Sequence, residues 1–265
     1  MLSEPFMQRA LITAIFVSIV LPLIGAPLVQ KRLSMTGDAL SHTSLAGVAI
    51  GVVAGLNPLW MSICVSIFAN LIIEFIRRKF SKYSELAVVI VMSFAVGITA
   101  IMSKYSSAAT FSSYLFGSVM LTTVDEMISM IIIAVIVIIF FIAFYFQMLY
   151  ISYNELQASL DNVNVRIINL VFTILCALVV AIASKTVGAL MVSSLMVIPY
   201  AASLQLSKSY RASIIISVII SLLSAVIGIT LSYYLDIASG GAMVLTSVAI
   251  LVVSLIINRI FKLNK

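Results

Sequence analysis

Charge is scarce in this sequence: Asp, Glu, Lys and Arg make up 9% of its 265 residues, against about a quarter in an ordinary soluble domain. Apolar residues account for 63%. A compact soluble globule cannot hide so much apolar surface, because folding still leaves most of its area facing water. The solvent must be lipid. Histidine occurs once, which excludes a multi-histidine metal centre within one chain. The two cysteines, Cys64 and Cys176, fall in separate apolar stretches with no second thiol nearby. Neither a disulfide scaffold nor a Cys-x-x-Cys redox or zinc site is indicated, and apolar packing is the expectation. His-Glu-x-x-His, Gly-x-Ser-x-Gly and Gly-x-x-x-x-Gly-Lys-[Ser/Thr] are all missing, so zinc proteolysis, esterase chemistry and self-contained ATP hydrolysis lack their usual parts. Uphill movement of a solute would draw on a partner or an ion gradient.

What is present is a series of apolar runs bounded by charge or turn residues, near 10–29, 39–56, 59–76, 86–103, 127–150, 166–184, 187–206, 212–235 and 240–258. One spanning helix needs about 20 residues, so nine use roughly 180 and leave only short connections. The runs are apolar nearly all round, with Gly and Ser scattered through them as in tightly packed membrane helices, and they do not alternate as barrel strands do. The expected fold class is therefore all-α, one polytopic transmembrane domain over 1–265 with about nine spans. The first run has no preceding basic region and no small-residue cleavage site, so it reads as a retained helix.

The net charge of +6 needs no nucleic-acid partner, because cationic loops are what membrane topology and anionic lipid favour. If the loop after the first span faces the cytosol, Lys31, Arg32, Arg77, Arg78, Lys79, Lys82, Arg166, Lys208, Arg211, Arg259, Lys262 and Lys265 lie inside, and Arg9, Lys104 and Lys185 outside. This asymmetry predicts an outer N-terminus and a cytosolic C-terminus in the cell membrane. Two connections are longer than a bundle needs: an outer one near 104–126, whose mixed segment from Thr110 to Thr123 suits a short interfacial or re-entrant helix, and an inner, partly amphipathic one near 151–165.

An ionisable group at the bilayer centre costs at least about 2.5–3.5 kcal/mol, so those that persist usually line a pathway. Asp38 and His42 are four residues apart on the second span, hence on one face. Glu74, near the end of the third span, returns to roughly the same depth. Carboxylate, imidazole and carboxylate at one level suit a borderline divalent cation such as zinc or manganese. Each also has a plainer role: Asp38 as a helix N-cap, Glu74 as the partner of Arg77 or Arg78, His42 as a hydrogen-bonded packing residue, and Ser41 and Ser44 as hydroxyls bonded to their own backbone.

The run from Arg32 to Ala49, with its Gly37-Asp38-Ala39-Leu40-Ser41-His42 core, resembles the membrane permease of ABC importers for zinc, manganese or iron. Matches follow in order at Tyr114 to Ser118, Tyr153 to Ala158, Val187 to Pro199 and Asp236 to Ala242, so the resemblance covers essentially the whole chain. It implies an ABC importer permease fold of the vitamin B12-type and metal class. It also implies a homodimer that receives metal from an extracytoplasmic binding protein and is driven by a separate cytosolic ATPase, with no cofactor held permanently and ATP used by the partner subunit. Asp38 and His42 match the family's acidic and imidazole positions, whereas Glu74 rests mainly on the depth argument. The coupling segment is expected at about 199–211, with Pro199, Lys208 and Arg211, and binding-protein docking at Tyr114 and Phe116. Asn154 departs from the Asp often found there. The run from Met191 to Val197 looks closer to the zinc branch, so zinc is the expected cargo, with manganese or iron as the alternative and a proton-driven secondary transporter behind them.

Overall fold

The structure is a computed structural model that describes residues 5–80, 84–105, 114–117 and 122–261. Lys82, Lys262, Lys265 and Ser118 from the sequence argument, and most of the Thr110 to Thr123 segment, lie outside the described residues. Among the described residues eleven helices follow one another: α1 (Pro5–Gln30), α2 (Met35–Val53), α3 (Pro58–Lys79), α4 (Ser84–Ser103), α5 (Val124–Ala143), α6 (Tyr145–Tyr153), α7 (Glu155–Leu160), α8 (Val165–Thr186), α9 (Ala189–Leu206), α10 (Tyr210–Leu235) and α11 (Ser239–Phe261). No strand occurs among them.

Eight of these helices are long and apolar enough to cross a membrane. The ninth expected span corresponds to α2, which is 19 residues long and carries Asp38, His42 and several hydroxyls. Its hydroxyls are tolerated because they are buried inside the bundle, where the helix packs against α3, α4, α8 and α9, while Asp38 and His42 are half-buried. The expected continuous span 127–150 is corrected: the helix stops at Ala143, turns at Phe144 (φ −109°, ψ 21°) and resumes as α6. No Pro or Gly marks this break; the ring of Phe144 lies 5.1 Å from that of Phe140.

Helix boundaries are set by local chemistry. The side chain of Asn57 accepts from the Leu59 amide ahead of Pro58 at the start of α3, where proline's missing N–H costs nothing. Thr123 and Glu126 form a reciprocal capping box at the head of α5. Helix α1 ends in a Schellman arrangement, with Leu33 N–H donating to the Leu28 carbonyl at 2.7 Å and Arg32 N–H to that of Val29 at 3.0 Å. Arg32 occupies the left-handed position (φ +58°) that glycine usually fills.

The main core lies between α1, α5 and α8, where Leu21, Ile24, Met130, Val137, Val180 and Ile182 are almost fully enclosed. Helices α4 and α11 are peripheral, with long outward apolar faces. Cys176 is buried as expected, whereas Cys64 faces outward on α3 in line with Trp60, Phe68 and Phe75. A thiol on that face still meets an apolar surrounding if lipid covers it. Helices α2 and α3 approach closely: a Cβ built on Gly47 would stand 2.6 Å from Ser62 Cα, and Ser44 Oγ and Ser62 Oγ are hydrogen-bonded at 2.8 Å.

Candidate functional site

The head of α2 carries the strongest candidate ligands. Ser34, with helical backbone angles and no side-chain cap bond, precedes the first turn. Asp38 falls within that turn rather than at the cap, so its carboxylate is not taken up in capping. Thr36, Gly37, Leu40, Ser41, Thr43 and Ser44 are buried, while Asp38 and His42 are half-buried and Met35 is exposed. Met35, Asp38 and His42 thus form a stripe that turns away from the chain's own core. Ser41 bonds back to the Gly37 carbonyl at 3.0 Å; Ser44, against expectation, is shared with α3 through Ser62.

Glu74 stands elsewhere in the local chemistry. Its Oε2 lies 2.6 Å from Arg77 Nη2, the i,i+3 pairing that a helix surface favours. Among the described residues no group of three His, Cys, Asp or Glu side chains comes together to hold a metal. Within one chain the structure therefore pairs Asp38 with His42 on one helix face and places Glu74 beside Arg77.

Glu74 lines a cavity of about 490 Å³ together with Gln30, Lys31, Arg32, Arg77 and Glu155. A second cavity of about 430 Å³ is bounded by Gln30, Tyr153, Ser207, Lys208 and Tyr210. These residues define a basic end of the bundle. Lys208 and Arg211 are exposed there in and beside the α9–α10 turn, whereas Pro199 is buried inside α9. Pro199 therefore shapes the helix leading to the turn. The short helix α7 shares this end and exposes Leu156 and Leu160 by 80% and 81%. Residue spacing alone did not mark it, although the Tyr153 to Ala158 stretch was the available signal.

At the opposite end Tyr114 is half-buried and Phe116 exposed. The ammonium of Lys185 on α8 pairs with Glu126 on α5 and lies 5.9 Å from the centroid of the Tyr114 ring. Burial pushes the Tyr114 phenol above its ordinary range. Gly117 (φ +67°) packs backbone to backbone against Val187 and Gly188, which anchors residues 114–117 on the α8–α9 junction.

These features define a polytopic helical membrane protein with acid and imidazole side chains on one inner helix. The chain matches the ABC 3 transport family over residues 3–258 and belongs to it. It is similar to a probable metal transport system membrane protein of Treponema pallidum, 33% identical with 98% of each chain covered. It is also similar to the manganese transport system membrane protein MntC of Listeria innocua, 34% identical over 92% of this chain and 88% of that one. Among solved structures it resembles PsaBC from Streptococcus pneumoniae in complex with Fab, at a TM-score of 0.84 and 26% identity over 95% of this chain and 91% of that one. The chain is a metal-transporting ABC importer permease, and ATP hydrolysis belongs to a separate subunit.

Proposed function

We propose that the chain is the membrane path of an importer for divalent transition-metal ions, with Asp38 and His42 as the ligands that line it. The observation carrying this reading is the half-buried stripe of Asp38 and His42 on a helix whose other faces are packed. Two ligands from one chain are fewer than the four a tetrahedral zinc takes or the six an octahedral manganese takes. A second copy, bringing its own Asp38 and His42 to a shared axis, raises the set to four side chains, four donor atoms as zinc takes or six with both carboxylates bidentate, and argues for a homodimer. Glu74 lies in the wall of the basic cavity, where an ion leaving α2 passes toward the cytosol.

The positive-inside rule places the basic end in the cytosol, with the N-terminus outside and the C-terminus inside. The separate ATPase docks there on Lys208, Arg211 and the exposed face of α7. An extracytoplasmic binding protein delivers metal at the opposite end, over Tyr114 and Phe116. Manganese is the first candidate cargo, because the named relative at 34% identity carries that ion in its name and the site offers carboxylate and imidazole without thiolate. Zinc, favoured by the Met191 to Val197 run, is the second. Transport requires that the ion be released as well as bound, because an ion held tightly never leaves.

The test is uptake by vesicles containing the permease and its cognate ATPase, with manganese, zinc and iron offered separately, with and without ATP. ATP-dependent uptake of manganese, lost when His42 is changed to Ala, supports the reading. Uptake that ignores ATP, or that survives in the His42 variant, overturns it.

A further inference from the structure

Lys31 is the first residue beyond α1, and its Nζ donates to Asn169 Oδ1 on α8 at 2.8 Å. The same amide uses its Nδ2 to donate to Glu155 Oε1, the first residue of α7, at 2.8 Å. Asn169 is 2% exposed. One buried side chain thus joins three elements: the α1–α2 turn, α8 and α7. Burial lowers the Lys31 amine from its ordinary range, opposed by the Glu155 carboxylate, with Arg77 lowering it further and Glu74 raising it.

Both ends of this chain of contacts are tied into the fold by local hydrogen bonds, although Glu155 itself is exposed. The turn at Lys31 is held by three backbone hydrogen bonds, from Lys31 to Pro27, Arg32 to Val29 and Leu33 to Leu28, and it opens directly into the helix that carries Asp38. Helix α7 is capped by Asn154, whose side chain accepts from the Gln157 amide at 3.1 Å, and is seated by the fully buried Ala158. Its outward face shows Leu156 and Leu160. A displacement of α7 therefore carries Glu155 with it, and the hydrogen bond to the buried Asn169 passes the movement on.

We infer that Lys31, Asn169 and Glu155 form a relay that carries displacement of α7 to the head of α2, so that the three act as positioning residues tying ion movement past Asp38 to ATP hydrolysis. The inference rests on the proposed reading of the basic end as the ATPase face. The central residue is suited to the task because an amide presents an accepting oxygen on one side and a donating nitrogen on the other, on a rigid plane. With a cation on one side and a carboxylate on the other, both bonds are charge-assisted.

The amide also makes the relay testable by reversing its polarity. Lys31→Glu alone sets two carboxylates on one amide, and Glu155→Lys alone sets two amines on it. In the double variant a rotated Asn169 again finds one donor and one acceptor. The readout is metal carried per ATP hydrolysed in vesicles containing the permease and its cognate ATPase. Each single variant is expected to lower that ratio about tenfold while hydrolysis continues, within the range that coupling between sites spans, and the double variant to recover most of the loss.

Glu155→Gln keeps an amide oxygen for Asn169 without reversing charge, and is expected to recover most of what Glu155→Lys loses. This variant keeps the test decisive where a reversed charge impairs folding. An unchanged ratio in the single variants overturns the relay, as does a double variant or Glu155→Gln no better than Glu155→Lys. If the wild-type vesicles show no ATP-driven uptake, the proposed function itself fails. Wild-type transport with insensitive variants removes only the relay.

Discussion

Gly117 and Gly188 meet backbone to backbone at the end of the bundle opposite the basic cavities. A Cβ on Gly117 would stand 2.1 Å from the Val187 carbonyl carbon, and one on Gly188 would stand 2.4 Å from that of Phe116. Both residues have positive φ, +67° and +104°. Residues 114–117 are therefore pinned to the α8–α9 junction by backbone proximity, which fixes Tyr114 and Phe116 beside it.

Gly188→Ala is expected to destabilise the protein by about 2–5 kcal/mol, combining the left-handed penalty with overpacking against backbone that cannot move aside. Thermal unfolding in detergent checks this. A midpoint equal to wild type would show that residues 114–117 yield and that the contact is not rigid.

Lys185 and Glu126 form an ion pair whose side chains are 29% and 7% exposed. Lys185→Met leaves the Glu126 carboxylate enclosed without its cation. The expected cost is roughly 2–3 kcal/mol, below the value for a fully enclosed pair because Lys185 retains some solvent. Adding Glu126→Gln to Lys185→Met should restore part of the stability, since an amide needs no counter-charge. A double variant less stable than Lys185→Met would contradict this account.

Asp38→Ala and His42→Ala should each reduce metal uptake by more than about tenfold, given that even outer partners of a metal ligand are worth 10–100-fold. Both residues are half-buried and turned from the core, so membrane insertion and the unfolding midpoint should stay near wild type. A variant that inserts normally and transports normally would remove that residue from the path.

Arg211→Glu reverses an exposed charge at the α9–α10 turn and should weaken ATPase retention on co-purification, more so at low salt because exposed charges are screened. Leu156→Asp tests α7 in the same assay by setting a charge on an 80% exposed apolar position. Loss with Leu156→Asp alone would place the docking surface on α7 rather than on the turn.

Much of this architecture is legible in the residue order. Apolar runs of about 20 residues locate the spans because lipid demands internally satisfied backbone, and eight of the nine qualify on length and hydropathy. Asp38 and His42 share a face because four residues make roughly one helical turn. The break at Phe144 was hidden, since neither Pro nor Gly marks it and an aromatic residue reads as more span. The left-handed turn at Arg32 was hidden for a similar reason: glycine is the usual signal and arginine stands in its place.

Written in the sequence itself were a lipid solvent, a helical bundle, a basic end and an acid-imidazole pair on one helix, because each follows from composition or from periodicity within a single segment. Folding in three dimensions decided the rest. Lys31 and Asn169 are 138 residues apart, and their meeting depends on how α1 and α8 pack. The pairing of Glu74 with Arg77 was legible as an i,i+3 contact, but only the packing shows that Glu74 does not join Asp38 and His42, because depth along a helix leaves the direction of the side chain open. Gly117 and Gly188 are glycines in any reading of the chain, but only the approach of two distant backbones shows why a methyl group has no room at either.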